Sequence, residues 1–121
     1  MVTADDVREI ALSLPRAYEA LVRDRVKFRV GRIVFLSLSP DEEVLGFGYP
    51  REEREALVAC EPEKFLMPLP SDMRYNWVRV RLAMIERDEL WSLIVNSWRG
   101  TVPKKVREEF LAANEGPAPR P

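Results

Sequence analysis

The sequence predicts an α+β domain in which an antiparallel sheet carries helices packed on one face. Three observations predict it. Val26-Lys27-Phe28-Arg29-Val30 and Ile33-Val34-Phe35-Leu36-Ser37-Leu38 alternate or run apolar on either side of Gly31-Arg32, a hairpin signature. Arg74 to Met84 alternates, with Val78, Val80, Leu82 and Met84 on one side and Trp77, Arg79 and Arg81 on the other. Apolar stripes at helical spacing flank these strands at both ends of the chain.

Taken in order, Thr3 is a good N-cap and Asp6 completes a weak capping box, after which Val7, Ile10, Ala11 and Leu14 form a helical stripe that Pro15 stops. Residues 16–25 are largely polar, carry Tyr18, Leu21 and Val22, and read as a loop or short helical turn. The hairpin follows. Glycine at its first turn position suits a type II′ turn. In that register Val30 faces Ile33 and Phe28 faces Phe35 on one side, while Lys27 and Arg29 lie on the other beside Leu36 and Val34.

Ser39-Pro40-Asp41 makes a turn into a third strand, Val44 to Tyr49. Leu45, Phe47 and Tyr49 share one of its faces. Gly46 and Gly48 leave the other bare, where a helix or a ligand can approach closely, and helix packing is the expected cause. Gly46-Phe47-Gly48 is not a phosphate loop, because no Lys-Ser/Thr follows it.

Pro50 starts an acidic helix with Ala56, Leu57 and Cys60 on its apolar side, and Cys60 is expected to be a small buried residue. Its glutamates are explained by first-turn charge preference. Leu66 to Asp72 is broken by prolines and reads as a packed loop or short edge strand before the long strand. Asp88 and Glu89 open a helix striped by Leu90, Trp91, Ile94, Val95 and Trp98 and capped at Gly100. Pro103 opens the last helix, with Val106, Phe110 and Leu111 inward. Residues 1–113 form a single domain, and the Gly/Pro-containing stretch 114–121 is expected to be a disordered tail.

Composition narrows the functional classes. The 121 residues are 46% hydrophobic and 32% charged, the proportions of a soluble globular domain. No apolar run reaches membrane-spanning length and no signal peptide opens the chain, so a cytoplasmic protein without a membrane partner is expected. There is no histidine and a single cysteine. Zinc sites, Ser-His-Asp triads and Cys-His pairs are thereby excluded within one chain, and no metal, cofactor or catalytic residue is expected. An enzyme is the least favoured reading, since no spacing singles out a pair of carboxylates, lysines or tyrosines.

The net charge is −1, but its distribution is uneven. Arg23 to Arg32 holds five basic residues against Asp24, Asp41 to Lys64 holds eight acids against three bases, and Ser71 to Arg107 holds eight bases against four acids. Basic surfaces separated by an acidic one can bind an anion that the total charge would not attract. Three cations near the start of the last helix, Lys104, Lys105 and Arg107, are unfavourable for the helix itself and suit a partner anion.

The order of several short motifs resembles the MmcQ/YjbR family: Phe28-Arg29-Val30-Gly31 before a strand with Phe35, the helix start Pro50-Arg51-Glu52-Glu53-Arg54, Asn76-Trp77-Val78 before an alternating strand, and Ser97-Trp98 leading to Val102-Pro103-Lys104-Lys105. The resemblance runs from about Asp5 to Val106. It implies a compact α+β fold similar to that of CyaY-like proteins, and members of the family are usually labelled DNA-binding. Two departures stand out: Asn76 replaces a glycine common before the Trp, and Gly31-Arg32-Ile33 replaces a Gly-Gly-Lys hairpin.

Four functions are weighed. A nucleic-acid-binding module would contact phosphates through Lys27, Arg29, Arg32, Arg74, Arg79, Arg81, Lys104 and Lys105, with Tyr75 or Trp77 stacking on a base. A protein-interaction or regulatory domain would present the same charges and aromatics to a protein partner. A small-molecule or anion-binding domain would use the bare Gly46/Gly48 face. An enzyme comes last. The local charges and the family label together favour DNA.

Overall fold

A computed structural model describes residues 1–114. Four helices and a six-stranded antiparallel sheet give the α+β architecture: α1 (Ala4–Leu12), β1 (Ala17–Val22), β2 (Arg25–Val30), β3 (Ile33–Leu38), β4 (Val44–Gly48), α2 (Arg51–Cys60), β5 (Phe65–Leu66), β6 (Trp77–Arg81), α3 (Arg87–Arg99) and α4 (Lys104–Ala113). The strand order is β1-β2-β3-β4-β6-β5. The tail expected at 114–121 lies outside the described residues except for Asn114, which closes α4.

The stretch expected to be a loop or helical turn, 16–25, contains an edge strand instead. β1 pairs with β2 along its whole length, from Ala17↔Val30 to Val22↔Arg25. The two-residue turn Arg23-Asp24 closes this hairpin without glycine or asparagine, so its usual signal is missing. Arg23 takes φ +61°, a conformation that costs a non-glycine residue of order 1 kcal/mol and that the surrounding pairing must impose. The β2–β3 turn is the one the sequence announced: Gly31 takes φ +60° and Arg32 does not turn positive, as type II′ geometry requires.

Beyond that turn the register slips. Val30 pairs with Ile33 and Arg29 with Val34, but Phe28 pairs with Leu36 rather than Phe35, and Lys27 with Ser37. The extra residue, Phe35, bulges from β3. The slip moves Leu36 from the basic face, where simple alternation put it, into the core.

The core face of the sheet is filled by two cross-strand rows. One runs Phe28, Leu36, Phe47, Val78; the other runs Leu38, Leu45, Val80, Phe65. All eight are buried. Helices α1 and α3 pack over this face, and α2 lies along β5 and β6. Trp98 of α3 is fully buried, donates Nε1–H to the Pro15 carbonyl at 2.9 Å and meets Phe110 of α4 edge-on at 5.0 Å. At the N-terminus of α1, Asp6 accepts from the Thr3 backbone N–H at 2.8 Å, and this bond, together with nearby Arg87, holds its carboxyl below the usual range.

Two further expectations are corrected. The alternation from Arg74 to Met84 gives only a five-residue strand, because residues 82–84 coil into a 3₁₀ turn that leaves Leu82 buried but Met84 exposed. Helix α2 does not bury Cys60, which is exposed, nor Ala56. It packs through Leu57 and Val58, and its one buried residue is Arg54.

Candidate nucleic-acid interface

The opposite face of the sheet is built from the alternate residues of the same strands. Pairing places Lys27, Ser37, Gly46, Arg79 and Leu66 in one row across β2, β3, β4, β6 and β5. On one side of this row stand Arg29, opposite Val34, and Trp77, opposite Gly48. On the other stand Arg25 and, opposite Val44, Arg81. Small residues thus occupy the middle and long cations the flanks. Three strand spacings separate Lys27 from Arg79, roughly 14 Å of backbone.

Five predicted site residues therefore share one face: Lys27, Arg29, Trp77, Arg79 and Arg81. Arg25 joins them. Alternation with Lys27 and Arg29 carried that signal, since residues two apart on a strand share a face. Arg79 feels the crowding: burial first, then repulsion from Arg25 and Arg81, push its pKa down, with Asp72 partly offsetting them. Arg79 Nε donates to the Met67 carbonyl at 3.0 Å, which fixes the guanidinium under the loop leading to β6. Arg29 Nε is the only buried side-chain nitrogen or oxygen without a hydrogen bond among the described residues.

Among the described residues, none of Arg25, Lys27, Arg29, Arg79 and Arg81 has a carboxylate within 4.0 Å. The ion pairs belong to the helical side. Arg8 of α1 binds Asp5, Glu19 and Glu42; Arg87 binds Asp6 and Glu9; Lys64 binds Glu61 and Glu89. Asp72 partly offsets the charge around Arg79 without pairing with it, so the face is cationic but has a carboxylate beside it.

Trp77 occupies the centre. A Cβ on Gly46 would lie 2.6 Å from Trp77 Nε1, so the indole takes the room that any other residue at 46 would fill. The glycine face is therefore not bare, and only Gly48 meets a helix. Its N–H donates to Ser97 Oγ of α3 at 2.8 Å, and that hydroxyl donates onward to the Phe35 carbonyl at 2.6 Å. The serine bridges β3 and β4 where the bulge at Phe35 ends their direct pairing.

Beside Trp77 opens a cavity of about 800 Å³, whose lining includes Lys27, Arg32, Ser37, Asp72, Tyr75 and Thr101. Four predicted residues, Lys27, Arg32, Tyr75 and Trp77, thus meet at one concavity. Arg74 stands next to it with its guanidinium 4.8 Å from the Tyr75 ring centre and a 2.7 Å bond to the Tyr75 hydroxyl. Lys104 and Lys105 are exposed on the first turn of α4 and do not line the cavity.

The loop that presents Tyr75 and Trp77 depends on a residue that the sequence marked only as part of the α2 helix start. Arg54 of α2, only 6% exposed, donates to the carbonyl oxygens of Met73, Tyr75 and Trp77. Asn76 adds a bond from the Arg51 backbone N–H to its Oδ1 at 3.0 Å, which gives the departure at this position a structural use. One arginine in an acidic helix has no periodicity that marks it as buried.

Among the described residues no cluster of three histidine, cysteine, aspartate or glutamate side chains could hold a metal ion, and no helix is long and apolar enough to cross a membrane. The chain is similar to Deinococcus radiodurans protein DR2400, whose crystal structure is described with the domain DUF419. The two share 22% identity with a TM-score of 0.72, over 90% of this chain and 88% of that one. No curated protein matches the chain. The family model described as YjbR matches residues 12–100, from the end of α1 to the end of α3. That stretch holds every strand of the sheet and both the core and the basic rows, and the chain belongs to the YjbR family.

Proposed function

We propose that this protein is a cytoplasmic nucleic-acid-binding module that acts by binding rather than catalysis, with the open face of its sheet as the binding surface. The observation that carries this reading is the gathering of Arg25, Lys27, Arg29, Arg79 and Arg81 on one face, none paired with a carboxylate among the described residues, around Trp77. Unpaired guanidinium and ammonium groups on a rigid sheet supply phosphate contacts without first breaking internal ion pairs. The absence of histidine from the sequence removes the commonest general base, which supports binding over catalysis.

The test is fluorescence anisotropy of labelled DNA titrated at several salt concentrations. If about four phosphates are neutralised, log K falls with log salt at a slope of roughly −3.6 on duplex. Replacing Lys27 and Arg79 together by alanine should reduce that slope by about 2. A flat salt response overturns the reading.

A further inference from the structure

We infer that the cavity beside Trp77 receives an unpaired nucleobase, so that the ligand of this surface is single-stranded nucleic acid rather than duplex. This rests on the nucleic-acid reading above and narrows it. Trp77 and Tyr75 line a concavity rather than a ridge, and Lys27 and Arg32 stand at the same concavity. A base held in a duplex is stacked on both sides and cannot enter such a recess; an unpaired base can leave the strand and stack on an aromatic ring, while flanking phosphates meet the cations.

The polar lining separates base from phosphate. Asp72 is a carboxylate among the cavity residues, and it would repel a phosphate placed there. The same carboxylate accepts a hydrogen bond from an exocyclic amino group of cytosine or adenine. Ser37, Asn76 and Thr101 offer further donors and acceptors around it. Phosphates belong instead on the flanks, where Arg25, Arg29, Arg79 and Arg81 stand. Gly46 makes the arrangement possible, because only glycine leaves room for the indole to settle over β4.

The experiment compares a fluorescein-labelled oligothymidine, an oligocytidine of equal length and a mixed-sequence duplex by anisotropy at one salt concentration. Intrinsic fluorescence is followed in parallel in Trp91→Phe, which leaves Trp77 and the buried Trp98 as emitters. Single strands should bind at least 10-fold more tightly than duplex and quench the Trp77 emission. Trp77→Leu should lose about 5- to 150-fold on single strands, the range for one stacked base, while Trp77→Phe, which keeps a ring, retains most of the affinity. Asp72→Asn should weaken the oligocytidine relative to the oligothymidine. Duplex bound as tightly as single strands, or Trp77→Leu binding single strands like the parent, overturns this inference and leaves the phosphate-binding reading in place. Failure of both DNA forms to bind at low salt overturns that reading first.

Discussion

The two faces of one sheet solve opposite problems with alternate residues of the same strands. On the core face, Phe28, Leu36, Phe47 and Val78 stand in a row and are fully or almost fully buried. In the adjacent row Lys27, Ser37 and Arg79 stay partly open, while Gly46 is buried beneath the Trp77 indole. The core row gains by filling space, since every buried methylene adds transfer free energy and dispersion contacts. The open row keeps small residues where Trp77 must lie and long cations where they remain hydrated. What differs between the faces is which residues are allowed to be large.

That contrast breaks most visibly on the core side. Phe47→Ala removes a ring that touches Tyr49 and Phe65 edge-on, and should cost about 3–5 kcal/mol in urea unfolding. A loss under about 1 kcal/mol would mean the core face is not packed as described.

Next is Arg54→Met, which keeps the side-chain length but leaves the carbonyls of Met73, Tyr75 and Trp77 without their common donor. Roughly 2–3 kcal/mol should be lost, the cost of stranding partly buried acceptors. Amide hydrogen exchange should speed up in 73–77 before it does so in β3 and β4. Uniform acceleration across the sheet would argue that Arg54 supports the whole fold rather than this loop.

The smallest effect on stability is expected from Gly46→Ala. Its Cβ would press within 2.6 Å of the Trp77 indole, and displacing the ring should cost about 1–2 kcal/mol. The change should reach binding as much as stability, because the indole it displaces lines the cavity. If Gly46→Ala leaves both the fold and Trp77 fluorescence unchanged, the glycine is not what seats the ring.

Much of this was legible in the chain. The hairpin turn at Gly31-Arg32, the core sides of β4 and β6, the stripe of α3 and the shared face of Lys27, Arg29, Trp77, Arg79 and Arg81 all follow from local periodicity, which sterics and burial enforce residue by residue. β1 escaped because an edge strand buries little and because Arg23-Asp24 turns without glycine. Its Glu19, opposite Phe28 but exposed at the sheet edge, meets Arg8 at 3.3 Å.

By itself the sequence determined the α+β class, the family and the side of the sheet on which the charges gather, because alternation and turn chemistry are local properties. Tertiary structure alone decided the Phe35 bulge that carries Leu36 into the core, the burial of Arg54 under the Tyr75–Trp77 loop and the meeting of Arg32, Tyr75 and Trp77 at one cavity. Each of these joins residues far apart in the chain. Their positions are set by which packing satisfies buried backbone groups and fills space, and no local pattern encodes that choice.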